Sequence, residues 1–289
     1  MMKARLSWLL LGCLWSSFCM ALSFDEIQRA GVIKVGVYRD FAPYSFIEQG
    51  KAQGVDVELA HRIADALEVD LQLRWMIADE NLDDDLRNHV WKGHYMGGGV
   101  VDLMLRVPYD RQYAYKVDQD GLVINDLVHL FGPYQEERWS LLYDDQQIPK
   151  FETYAVFQYQ PVAVEIDTVP DFYLTGVFQG RLREQVRHYV SIGAAVDGLL
   201  QKEVAAVMGM RAQLQWFRPA LKRYQAATVG PSGIGKQHWA IGMAVKDSYR
   251  QLAYAVTDVI SAMVISGEMA TTYKNYGLTY EAPDHYLGY

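Results

Sequence analysis

The chain has 289 residues, of which 51% are hydrophobic and 13% aromatic, and its formal net charge is −8 at neutral pH. An acidic surface disfavours binding to nucleic acid or to an anionic membrane, because both are polyanions. The chain is longer than the roughly 100–200 residues of a usual single domain, and it contains no Ser/Gly/Pro-rich linker. We therefore predict two lobes that are joined by short crossing strands.

The N-terminus has the layout of a secretory signal peptide. Lys3 and Arg5 precede an apolar run over residues 6–15, and small and apolar residues follow up to Ala21. This pattern predicts export to the periplasm with removal of residues 1–21. A retained segment would be shorter than the roughly 20 apolar residues that a membrane-spanning helix needs.

Both cysteines, Cys13 and Cys19, lie within the predicted signal peptide. The mature protein is therefore expected to have no disulfide, no thiol nucleophile and no cysteine metal ligand. It would keep 25 basic residues against 35 acidic residues, because Lys3 and Arg5 are removed.

The first half of the chain alternates between strand and helix patterns. Residues 33–37 are an apolar run typical of a buried strand, and residues 56–67 place apolar side chains every four positions, as in an amphipathic helix. Residues 69–75 alternate apolar and polar side chains as a strand does. Residues 80–91 have a helical composition, and residues 100–105 are again typical of a strand. This order predicts a mainly parallel sheet covered by helices.

The rest of the chain repeats the pattern. Strands at 127–131 and 139–143 are predicted to lead out of the first lobe, and a strand at 238–245 to lead back. We assign residues 22–138 and 240–289 to lobe 1, and residues 139–239 to lobe 2 with the hinge strands. The remaining predicted elements are strands at 162–166, 186–189 and 205–208, and helices at 170–178, 192–202, 211–217 and 248–266, with a last helix that ends at Tyr276.

The most informative motif opens the helix over 56–67. Its sequence, Gly54-Val55-Asp56-Val57-Glu58-Leu59, alternates acidic and apolar residues after a glycine. Negative charge in a first helical turn suits the helix dipole. As a motif, the segment resembles the signature of the bacterial extracellular solute-binding proteins of the polar-amino-acid type.

Other segments carry the same resemblance in the same order along the chain. They are Ile33-Lys34-Val35-Gly36-Val37, Phe41-Ala42-Pro43-Tyr44-Ser45-Phe46, Val101-Asp102-Leu103-Met104, Gly132-Pro133-Tyr134, Val204-Ala205-Ala206-Val207-Met208 and Tyr273-Lys274-Asn275-Tyr276-Gly277. The resemblance implies an α/β, two-lobed periplasmic-binding-protein-like fold, in which each lobe is a mainly parallel sheet flanked by helices and crossing strands form the hinge.

The resemblance also implies ligand-binding residues in lobe 1. Phe41 occupies the place of the aromatic side chain that covers the ligand in this family, and Tyr44 lies next to it. Arg111 is the nearest counterpart of the arginine that holds a ligand carboxylate, because a planar guanidinium matches two oxygens. The segment that leads to Arg111 is short, so Arg106 is the alternative. The competing interpretation of both arginines is an ion pair at the surface with Asp110 or Asp118.

In lobe 2 the chain departs from the family pattern. Asp167 and Thr168 stand where the family has a Gly-Ser or Gly-Thr pair that meets the ligand carboxylate. Met210 stands where amino-acid binders carry an aspartate for the ligand ammonium, and a thioether offers only soft apolar contact. The expected ligand is therefore a small polar or carboxylate-bearing compound without a free α-amino group.

The resemblance leads us to expect a monomeric periplasmic protein without metal or cofactor, which delivers a small-molecule ligand to the membrane permease of an ABC importer. Three alternatives remain open. One is an enzyme similar to cyclohexadienyl dehydratase, for which Glu165 is the candidate acid. Another is an accessory protein of a periplasmic quinoprotein dehydrogenase, and the third is a subunit of a signalling receptor.

Overall fold

The computed structural model describes residues 24–218, 223–227 and 233–287. The predicted signal peptide lies outside the described residues. The eleven described strands are β1 (Val32–Tyr38), β2 (Phe46–Glu48), β3 (Lys51–Gln53), β4 (Asp70–Met76), β5 (Leu103–Tyr109), β6 (Val128–Tyr143), β7 (Val162–Glu165), β8 (Val186–Tyr189), β9 (Ala206–Met210), β10 (Gln225–Ala227) and β11 (His238–Lys246).

Helices flank these strands. The α-helices of the described residues are α1 (Phe24–Ala30), α2 (Val55–Ala66), α3 (Leu82–Leu86), α4 (Arg111–Ala114), α5 (Val169–Gly176), α6 (Ile192–Leu200), α7 (Arg211–Phe217), α8 (Arg250–Ser266) and α9 (Glu268–Asn275). A π-helical turn, Arg87–Trp91, extends α3. The predicted α/β class is confirmed.

The strand order is β4-β1-β5-β11-β6-β9-β7-β8, and β10 pairs with β6. Neighbouring strands are parallel at the two ends of this order, in β4-β1-β5 and in β9-β7-β8. The antiparallel strands β11 and β6 lie between them. Residues 128–138 of β6 pair with β11, whereas residues 139–143 pair with β9. One long strand therefore runs from the first parallel group to the second.

Two predicted strands proved to be one. The segments 127–131 and 139–143 are both part of β6, which continues through Gly132 and Pro133. The pairing with β11 changes register here, because Met243 faces Phe131 whereas Ile241 faces Gln135. Such a bulge accommodates a glycine with φ 55° and a proline without an N–H.

Other predicted boundaries also moved. The strand expected at 100–105 lies at Leu103–Tyr109, because Val101 donates its N–H to the carbonyl of His89 instead of to a neighbouring strand. The helix expected at 170–178 ends at Gly176, since Phe178 and Gln179 have φ angles of 53° and 60°. Left-handed residues end a helix.

The largest hydrophobic core lies under α2, α8 and α9, and it contains the apolar stripe of α2, including Val55, Leu59 and Ile63. Within the described residues, no single helix is long and apolar enough to cross a bilayer. Only α8 and α9 taken together reach that length and apolar composition, and the two helices are bent by 78° relative to each other.

Candidate functional site

A cavity of about 590 Å³ lies between the two parallel groups of strands, and we call it the cleft. It is open at the carboxyl ends of β1, β5 and β9, where Tyr38, Tyr109 and Met210 line it. The crossing strands β6 and β11 contribute Trp139 and Trp239. Ligands of open α/β sheets bind beyond the carboxyl ends of the strands, and 590 Å³ is within the usual size of small-molecule pockets.

Four of the residues predicted from sequence line the cleft: Phe41, Tyr44, Arg106 and Met210. Phe41 and Tyr44 are contributed by the loop after β1, and their ring centroids are 5.2 Å apart. Met210 ends β9 and is half-buried. The structure thus brings together side chains from distant parts of the sequence.

Arg111, Asp167 and Thr168 are not among the described residues that line the cleft. Arg111 is an exposed residue of α4 that lines a different cavity, between α4 and Arg250. Asp167 is exposed, and its backbone N–H donates to Asp171. The hydroxyl of Thr168 donates to the carbonyl of Glu165. Val169, the residue that follows Thr168, does line the cleft.

Arg106 is already bound to a carboxylate of the protein. Its Nε and Nη2 donate to the two carboxylate oxygens of Asp56 at 2.5 and 2.8 Å, and its Nη1 donates to Gln135. Asp56 is 0% exposed and Arg106 is 6% exposed. The interpretation of Arg106 as a surface ion pair with Asp110 or Asp118 was therefore wrong, because the partner is the buried acid of the α2 motif.

The surroundings of Arg106 hold it in place. Its Cζ lies 3.4 Å from the centroid of the Tyr44 ring, an attractive position for a cation over an aromatic face. Its φ angle of 60° is rare for a side chain of this size. Burial lowers the pKa of Arg106, but Asp56 and the neighbouring tyrosines together raise it by more, so the guanidinium remains charged.

A buried polar network continues behind this pair. The hydroxyl of Tyr44 donates to Glu137 at 2.6 Å, and that of Tyr273 donates to Gln135 at 2.5 Å. Burial raises the pKa of Tyr44 and of Tyr273, which keeps both hydroxyls protonated as donors. The polar groups on this wall of the cleft therefore already have partners within the protein.

Another part of the cleft wall is aromatic. The rings of Trp139 and Trp239 are 4.6 Å apart at their centroids, within the range of favourable ring contacts. The indole N–H of Trp139 donates to the carbonyl of Lys236. Sequence reasoning missed both tryptophans, although each lies in a predicted strand, because the pairing of β6 with β11 was needed to bring them together.

The remaining charged groups of the described cleft wall are also paired. Lys236 forms an ion pair with Asp110, which also caps α4. Asp85 accepts hydrogen bonds from the hydroxyl of Tyr38 and from the N–H of Asp79, at 2.7 and 2.8 Å. Burial raises the pKa of Asp85 despite these donors. Glu165, the candidate acid of the dehydratase interpretation, is not among the described lining residues.

Asp79, Asp85 and His89 are residues of types that can bind a metal ion. Oxygen or nitrogen atoms of Asp79, Asp85 and His89 lie within 4.8 Å of one another. The Nε2 of His89 is 3.4 Å from the carbonyl of Ile77, and Asp79 accepts from Asn88. Hydrogen bonds within the protein thus account for this group.

Comparisons with known proteins agree with this architecture. Residues 33–90 match the family model of the bacterial extracellular solute-binding proteins, family 3. An ancestral cationic amino acid solute-binding protein, AncCDT-1, has a TM-score of 0.68 at 17% identity, over 88% of this chain and 98% of its own. The protein AbpA of Streptococcus pneumoniae, bound to L-arginine, gives 0.61 at 20% identity, over 88% and 97%.

The solute receptor for L-cysteine of Neisseria gonorrhoeae gives a TM-score of 0.60 at 20% identity, over 88% of this chain and 93% of its own. At such identities the likeness establishes the two-lobed fold. No curated protein sequence matches this chain significantly. The fold and the matched segment together confirm the predicted resemblance to solute-binding proteins of the polar-amino-acid type.

Proposed function

We propose that this chain is an exported, non-enzymatic solute-binding protein that captures a small ligand in the cleft and presents it to the permease of an ABC importer. The cleft is the observation that supports this proposal. Side chains from both parallel groups of strands line this single cavity. A ligand that contacts both sides binds the closed arrangement best and so shifts the population towards it.

Non-enzymatic capture fits the charged groups of the cleft. A dehydratase needs an acid that can reach the ligand, and the described acids at the cleft, Asp85 and Asp110, both accept hydrogen bonds within the protein. The sequence analysis predicts a carboxylate in the ligand, and the cleft gives little support to this part of the prediction. Arg106 holds Asp56, and Arg111 lies elsewhere.

Native mass spectrometry tests the proposal. The mature protein, exported with its own signal peptide, is incubated with the low-mass fraction of a cell extract. We expect one noncovalent adduct per chain and an N-terminus near Leu22. The variant Met210→Arg, which places a long charged side chain at the cleft, should lose the adduct. The control Met96→Arg, at a 77% exposed position outside the cleft, should keep it.

Two results would contradict the proposal. One is an adduct that Met210→Arg retains, because the ligand would then lie outside the cleft. The other is the absence of any adduct from the wild-type protein with extract and with the compounds named below.

A further inference from the structure

We infer that the cleft binds a planar aromatic compound that lacks the ammonium and carboxylate pair of an α-amino acid. This inference rests on the proposed solute-binding function and narrows its ligand class.

The first argument is charge. Arg106 and Lys236 are the cations among the described residues of the cleft, and each already has a carboxylate partner, Asp56 and Asp110. A ligand carboxylate would have to displace one of these acids. Displacing Asp56 would leave a fully buried carboxylate without its cation, which is strongly unfavourable.

The same argument applies to a ligand ammonium. Asp110 is held by Lys236 and by two backbone N–H groups of α4. Asp85 accepts from Tyr38 and from the backbone of Asp79. Met210 occupies the end of β9 and brings no charge. An ammonium enclosed here would lack a ready acceptor, and a buried unpaired charge is very costly.

The second argument is the shape of the apolar surface. Tyr38, Phe41 and Tyr44 form a row of rings with centroids 6.0 and 5.2 Å apart. The tilted pair Trp139–Trp239 lines the same cavity. Aromatic rings favour offset or edge contacts with further rings. Two groups of aromatic rings that line one cavity therefore favour a planar aromatic ligand.

The third argument concerns hydrogen bonding. Tyr109 and Trp239 line the cleft, and neither the hydroxyl of Tyr109 nor the indole N–H of Trp239 has a hydrogen-bond partner within the described part of the chain. Both groups can donate. The ligand class that fits is an aromatic compound with a neutral oxygen acceptor, such as a carbonyl or hydroxyl group.

Calorimetry and tryptophan fluorescence test this inference on the mature protein. One panel contains neutral aromatic compounds with an oxygen acceptor (benzaldehyde, benzyl alcohol, benzamide and nicotinamide). The other contains L-arginine, L-glutamate, L-leucine and succinate. We expect one-to-one binding of an aromatic compound with a change in fluorescence, and no binding from the second panel.

The variants Trp239→Leu and Phe41→Leu each remove one aromatic ring from the cleft and should weaken this binding at least tenfold. Phe41 lies on a loop, so its variant remains informative if Trp239→Leu fails to fold. The control is Trp216→Leu, because Trp216 packs against Phe46 and Tyr276 away from the cleft, and it should bind like the wild type.

Binding of a compound from the second panel that Trp239→Leu weakens would overturn the aromatic class and leave the solute-binding function intact. Absence of binding from both panels would also overturn the aromatic class. In that case the extract experiment decides separately whether the cleft binds a solute.

Discussion

At the scale of single residues, Arg106 and Asp56 form the ion pair on which the cleft wall depends. We predict that Arg106→Met lowers the free energy of unfolding by about 3–5 kcal/mol, because it leaves the buried carboxylate of Asp56 without a cation. The double variant Asp56→Leu with Arg106→Met should recover part of this loss, since no charge remains unpaired. Urea unfolding measures both. A loss below about 1 kcal/mol in Arg106→Met would show that the pair is not structural.

A second prediction at this scale concerns Glu165. Burial raises its pKa above the ordinary value, and the N–H of Ile192 offsets only part of the rise. The folded state therefore binds the proton of Glu165 more tightly than the unfolded state does. The stability of the protein falls as the pH rises from the unfolded-state pKa of Glu165 through its folded-state pKa. We expect Glu165→Gln to raise the stability by about 1 kcal/mol or less at pH 7.5, with a smaller gain near pH 4.5.

The matched control for Glu165 is Glu152→Gln. Lys150 lowers the pKa of the fully exposed Glu152, so its substitution should have the opposite sign and a smaller effect. Urea unfolding midpoints at both pH values give the comparison. Equal shifts for the two variants would contradict the assignment of burial as the cause at Glu165.

At the scale of elements, the start of α2 depends on a glycine. Gly54 has φ 120°, and a Cβ there would lie 2.2 Å from the carbonyl oxygen of Tyr44. We predict that Gly54→Ala costs at least about 2 kcal/mol, because backbone strain adds to the displacement of the segment that carries the Tyr44 ring. Gly50→Ala is the control, since Gly50 has φ 77° but open space around it, and should cost about 1 kcal/mol. Thermal unfolding that gives equal losses would contradict the steric reason.

The elements also show what the sequence could and could not predict. The helix α2 was predicted within one residue, because its apolar stripe is a local property of the sequence. The unbroken β6 was not, because Gly132 and Pro133 normally end a strand, and only pairing with β11 accommodates them. The surroundings of Arg111 were not predicted either, because the sequence analysis did not recognise the short helix that Asp110 caps, where Arg111 lines another cavity.

At the scale of the whole molecule, the two-lobed arrangement followed from segments that resemble one family in the right order. The contents of the cleft did not follow, because they depend on contacts between residues far apart in sequence. Asp56 meets Arg106 across the first lobe, and Trp139 meets Trp239 only through the pairing of β6 with β11. Phe41, whose place is fixed by a local motif, lines the cleft, and its role towards a ligand stays a prediction.

The last prediction concerns how the lobes are held together. Lys236, in the segment that we assign to lobe 2, pairs with Asp110, in the segment that we assign to lobe 1, and the Lys236 side chain is 58% exposed. An exposed pair contributes about 0–1 kcal/mol, and 1 kcal/mol changes a population ratio about fivefold. We therefore expect Lys236→Gln to shift the ligand-free protein towards an open form, which small-angle scattering would detect as a larger radius of gyration. High salt should have the same effect on the wild type.

The control Lys150→Gln, which breaks an exposed pair with Glu152 within one lobe, should leave the radius unchanged. An unchanged radius in Lys236→Gln and in high salt would mean that this ion pair does not set the distance between the lobes.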